Sequence, residues 1–176
     1  EIASDWVLEL LELPSDASVG FVTGGQMASF TCLAAARDAV LRATGWDVEA
    51  DGLQGAPRLN VVVKSEKHTT VATALRYLGL GHSHATEVPS DEQSRMDVPA
   101  LTEALAGLEG PTIVCVEAGN VNTGSFDDFD AVADAATCQS LGFSRRRWRP
   151  VMRIRCPALP ISAPPSMLSG TRTSTS

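Results

Sequence analysis

Two short runs rich in β-branched residues, LNVVVK at 59–64 and TIVCVEAG at 112–119, each stand between stretches of helical periodicity. Continuous apolar runs of that length suit strands covered on both faces, as in a parallel sheet flanked by helices. Upstream, residues 2–13 put Ile2, Trp6, Leu10 and Leu13 on one helical face and stop before Pro14. VGFVT at 19–23 reads as a strand leading through Gly24-Gly25 into a helix that reaches about Thr44. Met27, Phe30, Ala34 and Leu41 form the buried stripe of that helix. Residues 46–57 read as loop. After the first strong run comes a helix with Val71, Leu75 and Leu78 on one side, closed by Gly79 and Gly81. A weaker strand at 85–88 and a turn at 89–94 follow. Asp97 then caps a helix with Pro99 in its first turn, and beyond the second strong run a polar loop leads to a helix near 129–136. The alternation predicts an α/β fold, a mostly parallel sheet with flanking helices.

Charge divides the chain in two. Residues 1–137 hold all 21 acidic side chains beside 7 basic ones, whereas residues 138–176 hold 7 arginines, no acid and half of the 10 prolines. Periodicity fails there as well. The expected organisation is therefore a folded part at 1–137 and an Arg/Pro-rich, disordered tail at 138–176. No run approaches the roughly 18–20 apolar residues of a membrane helix, so no membrane partner is expected. The four cysteines are scattered without a Cys-x-x-Cys pair, which argues against a metal site and for a reducing, cytoplasmic location. Glu1 opens the chain with no leader pattern, and the expectation is a chain that starts inside a longer product.

In open α/β sheets, ligands sit beyond the carboxyl ends of the strands. Three segments meet that condition. Gly24-Gly25-Gln26 joins a strand to a helix, where converging N–H groups and the helix dipole suit a phosphate. It matches neither the dinucleotide fingerprint nor the P-loop pattern, and a plain tight turn is its simpler reading. His68, in the first turn of a helix beyond a buried strand, faces the same edge, whereas His82 and His84 have no comparable placement. The loop 117–124, which carries Asn120, follows the strongest strand. Asp127, Asp128 and Asp130 read as first-turn acids of the next helix rather than as metal ligands.

Together these segments resemble the pyridoxal-phosphate-dependent group II decarboxylases, the aromatic-amino-acid and glutamate decarboxylase family, of fold type I. Its Gly-Gly-Thr-Glu-Ala-Asn-like string and helix ending Ala-Ala-Arg are similar to Gly24 through Ser29 and Ala35-Ala36-Arg37. Its His-containing string after a strand resembles Ser65 through Thr70, and its Gly-Arg-Met-Asp turn resembles Ser94-Arg95-Met96-Asp97. Its Gly-Thr-Thr loop resembles Gly119 through Asp127, and the match runs colinearly from about Trp6 to Ala136. Gln26 stands where the family has a small hydroxyl residue, and Val121 where it has threonine.

The resemblance implies part of the large, cofactor-binding domain of a homodimeric enzyme that decarboxylates an L-amino acid with pyridoxal 5'-phosphate. Gly24, Gly25, Gln26 and Asn120 would line the cofactor, and His68 would stack on its ring as the catalytic residue. The family also needs an Asp for the ring nitrogen and a Schiff-base lysine, both beyond Ala136. Here no acid follows Asp134, and Lys64 and Lys67 are the only lysines. The chain alone is thus expected to be inactive. The loss coincides with the change in composition, as a shifted reading frame in the underlying DNA would produce. Two other readings stay open: another fold type I lyase, or a non-catalytic α/β module whose basic tail meets a polyanion. Proline-interrupted arginines without a groove-entering helix argue against nucleic acid.

Overall fold

The computed structural model describes residues 2–11 and 13–139, so the tail read at 138–176 lies almost wholly outside the described residues. Three strands form one sheet: β1 (Asn60–Lys64), β2 (Thr86–Val88) and β3 (Thr112–Val114). Their order is β2-β1-β3 and both pairings are parallel, with Val62 opposite Thr86 and Val114. Each connection carries a helix, α4 (Thr69–Tyr77) between β1 and β2 and α5 (Val98–Ala106) between β2 and β3. This is the α/β architecture that the alternation implies.

Strand pleating sorts the core. Val61 and Val63 point to one face, where Leu33 of α2 (Gly25–Arg42) and Leu75 of α4 meet them with Ile113. Val62 points to the other, packing with Val114, Leu101 of α5 and Val132 of α6 (Phe129–Gln139). Because both faces are covered, β1 needs no polar alternation, and Val61 through Val63 run without any.

Several expectations are corrected. VGFVT pairs with no strand among the described residues, and Phe21 is 72% exposed. An apolar run becomes a strand only where it is laid against a neighbour's free backbone groups, and this one stays outside the β2-β1-β3 sheet. The helix at the start, α1 (Ile2–Leu10), buries Leu8 but leaves Ile2, Trp6 and Leu10 exposed. In α2 the stripe turns by a fraction of a turn: Ser29, Leu33 and Leu41 are buried, while Met27 is 45% exposed. The segment read as loop contains a single helical turn, α3 (Val48–Asp51), because Asp47 caps it by accepting from the Glu49 and Ala50 amides. No described helix is long and apolar enough to cross a membrane.

Candidate functional site

The carboxyl ends of β1 and β3 open onto a cavity of about 40 Å³, lined by Ser29, Lys64, His68, Thr70, Cys115 and Glu117 among others. Three stretches distant in sequence meet there: the start of α2, the run from the end of β1 into α4, and the chain just past β3.

His68 is the N-cap of α4. Its Nδ1 accepts from the Thr70 amide at 3.2 Å and lies 3.0 Å from Thr70 Oγ1. The ring is half-buried and lines the cavity. Thr70 also binds the start of α2, because Ser29 Oγ donates to its hydroxyl at 3.2 Å and Gln26 Nε2 donates to its carbonyl at 3.3 Å. Gln26 and His68 are thereby joined through one residue, and the Gln26 side chain is turned toward α4.

Gly24 and Gly25 do not line the cavity; they form the open start of α2. Gly24 holds φ 146° and ψ 174°, a conformation that essentially only glycine adopts, and no side chain among the described residues caps the helix. The first helical bond runs from the Ala28 amide to the Gly24 carbonyl, so the amides of Gly25, Gln26 and Met27 precede the helical ladder.

Asn120 is buried, and both ends of its amide are engaged within its own loop. Its Oδ1 accepts from the Asn122 and Thr123 amides at 2.9 and 3.2 Å, and its Nδ2 donates to Glu117 Oε2 at 3.1 Å. It reaches the cavity through Glu117. Val121, the next residue, is 77% exposed.

The most strongly built part of this edge is a cluster around Lys64 that no motif announces. Lys64 is only 2% exposed, and its ammonium sits 2.7 Å from Glu117 Oε2, 3.5 Å from Asp127 Oδ1 and 2.8 Å from the Ser94 carbonyl. Asp127 also accepts from the Met96 amide at 2.8 Å and the Glu117 amide at 2.6 Å. Ser94 has φ 59°, a left-handed conformation costly for a residue with a Cβ, and both Lys64 and Ser125 Oγ donate to its carbonyl. Asp127 therefore does not cap α6, as the run of acids suggested; Asp128 does, accepting from the Ala131 amide at 3.0 Å. The available signal was Lys64 itself. A lysine ending a buried strand requires a carboxylate partner, and the strand-end neighbour Glu117 was the nearest candidate.

The turn 94–97 also resolves into separate tasks. Arg95 pairs with Asp91 at 2.8 Å, Met96 enters the core, and Asp97 caps α5 by accepting from the Ala100 amide. Backbone and side-chain hydrogen bonds from Arg95 hold the Asp91 carboxyl below its ordinary range. Lys67, the other lysine, pairs with Glu87. Burial pushes the Cys115 thiol up to about 12, which leaves it protonated and unreactive near neutrality. Among the described residues no cluster of three or more His, Cys, Asp or Glu could hold a metal ion.

Residues 1–143 match the family model described as "Pyridoxal-dependent decarboxylase conserved domain". The chain is 32% identical over 136 residues to an aromatic-L-amino-acid decarboxylase of Bacillus atrophaeus, covering 74% of this chain and 26% of that protein. The fold is similar to the crystal structure of mouse CSAD, with TM-score 0.68 and 26% identity over 80% of this chain and 29% of that one. It is also similar to Oryza sativa TDC with PLP and tryptamine, with TM-score 0.64 and 30% identity over 79% of this chain and 30% of that one. The chain thus spans about a quarter of the length of the curated relatives it matches.

Proposed function

Because the chain belongs to the pyridoxal-dependent decarboxylase family, we propose that residues 1–137 are part of the cofactor-binding domain of an enzyme that decarboxylates an L-amino acid with pyridoxal phosphate. The observation that carries this reading is the meeting of the α2 start, His68 and the loop of Asn120 at one edge of the sheet. Relatives named for aromatic, acidic and diamino substrates each match half or more of this chain, so the substrate class stays at L-amino acids.

The described residues fit such a cofactor in part. Gly24 leaves open space where a Cβ would stand, and the early α2 amides form an anion-binding helix start. The His68 ring lies beside the cavity, in position to stack on a pyridine. The cavity itself is far below the roughly 300 Å³ of a small ligand pocket. These residues then supply one wall, and other polypeptide supplies the rest. When bound, pyridoxal phosphate draws into its ring the electron pair released as CO₂ leaves. The α2 amides would hold the phosphate, His68 would orient the ring, and the Lys64–Glu117–Asp127 cluster would fix the Asn120 loop.

Neither lysine is suited to holding the cofactor covalently. Lys64 is buried as an ammonium between two carboxylates, and Lys67 is paired with Glu87. These ion pairs support the expectation that the 176-residue chain is inactive by itself. The exposed Ile2, Trp6 and Leu10 face of α1 supports a second subunit in the intact enzyme, a homodimer. The test is to add pyridoxal phosphate and a panel of L-amino acids to the chain and to measure CO₂ release, then to reduce with borohydride and map peptides. No CO₂ and no modification of Lys64 are expected. Turnover, or stoichiometric labelling of Lys64, contradicts the reading.

A further inference from the structure

We propose that the first turn of α4 holds His68 in its Nε2–H tautomer, with Thr70 as the positioning residue. A backbone amide can only donate, so the 3.2 Å bond from the Thr70 amide requires a lone pair, not a proton, on Nδ1. The Thr70 hydroxyl, 3.0 Å from the same nitrogen, accepts from Ser29 Oγ at 3.2 Å through one of its two lone pairs. That arrangement leaves the Thr70 proton free to point at Nδ1. Ser29 is 1% exposed, which fixes its hydroxyl against Thr70. Two donors from one residue thus converge on Nδ1, and the neutral ring keeps its single proton on Nε2. Nε2 has no hydrogen-bond partner among the described residues, and the ring lines the cavity.

The consequence for chemistry rests on the proposed cofactor site. There, neutral His68 offers the crevice a hydrogen-bond donor and cannot accept a proton at Nε2. The tautomer itself does not depend on that reading, because cap and relay lie wholly within α2 and α4.

The experiment is long-range ¹H–¹⁵N correlation NMR on the ¹⁵N-labelled full chain, at a pH where His68 is neutral and with no cofactor added. Wild-type His68 is expected to show an unprotonated Nδ1 and a protonated Nε2. Thr70→Ser, which keeps both donors, should reproduce that pattern. Thr70→Pro removes both donors at the second helical position, the position Pro99 occupies in α5, and should move the ring toward a mixture of tautomers. A wild-type ring protonated on Nδ1 overturns the proposal even if the proline variant does not fold. So does a folded Thr70→Pro chain with an unchanged pattern. Failure to bind pyridoxal phosphate, by contrast, sinks only the cofactor reading.

Discussion

Lys64 Nζ stands 2.7 Å from Glu117 Oε2, one group at the end of β1 and the other just past β3, both largely withdrawn from water. Asp127 completes the cluster from ten residues further on. Removing one partner of a buried pair strands the other charge. Lys64→Met should therefore destabilise the chain by about 3–5 kcal/mol, read by urea unfolding. Adding Glu117→Gln to that variant should recover part of the loss, because only the Asp127 carboxylate is then left without its cation. A purely additive double variant would show that the two groups are not coupled.

Cys115 gives a pH prediction. Its folded value, pushed up to about 12 by burial, lies above the ordinary 9.0, so the thiol's contribution to stability is complete below pH 9. The contribution is lost as pH rises from 9 toward 12, because the unfolded chain ionises first. Stability should decline over that window, and Cys115→Ala should flatten the decline. At pH 8, a thiol reagent followed by peptide mapping should leave Cys115 unmodified until urea unfolds the chain.

Leu75 is fully buried between α4 and the sheet, whereas Tyr77, two residues on, is 67% exposed. Leu75→Ala should cost about 2–5 kcal/mol, with the cavity it leaves adding to the lost transfer term. Tyr77→Ala should stay within about 0.5 kcal/mol. Equal effects in thermal unfolding would contradict the assignment of faces in α4.

What the sequence made legible were features whose cause is local. The β-branched runs became β1 and β3, and Asp97 capped α5 as a polar residue before Pro99 should. His68 could be placed at the sheet edge because a strand precedes it and a helix follows. The Lys64 cluster was not legible, because its carboxylates lie 53 and 63 residues downstream and only the parallel crossover brings them back. The exposure of Trp6 and Phe21 was hidden for a related reason. Periodicity reports that a face is apolar, but not whether anything covers it.

The central claim is that the start of α2, the His68 turn and the Asn120 loop form one wall of a pyridoxal phosphate site. The most direct measurement is a titration of the ¹⁵N-labelled chain with pyridoxal phosphate, followed by amide NMR shifts. The account predicts weak, saturable shifts at Gly25, Gln26 and Met27, at His68 through Thr70, and in the loop about Asn120. Shifts confined to other residues, or none at these three segments up to millimolar cofactor, would contradict it.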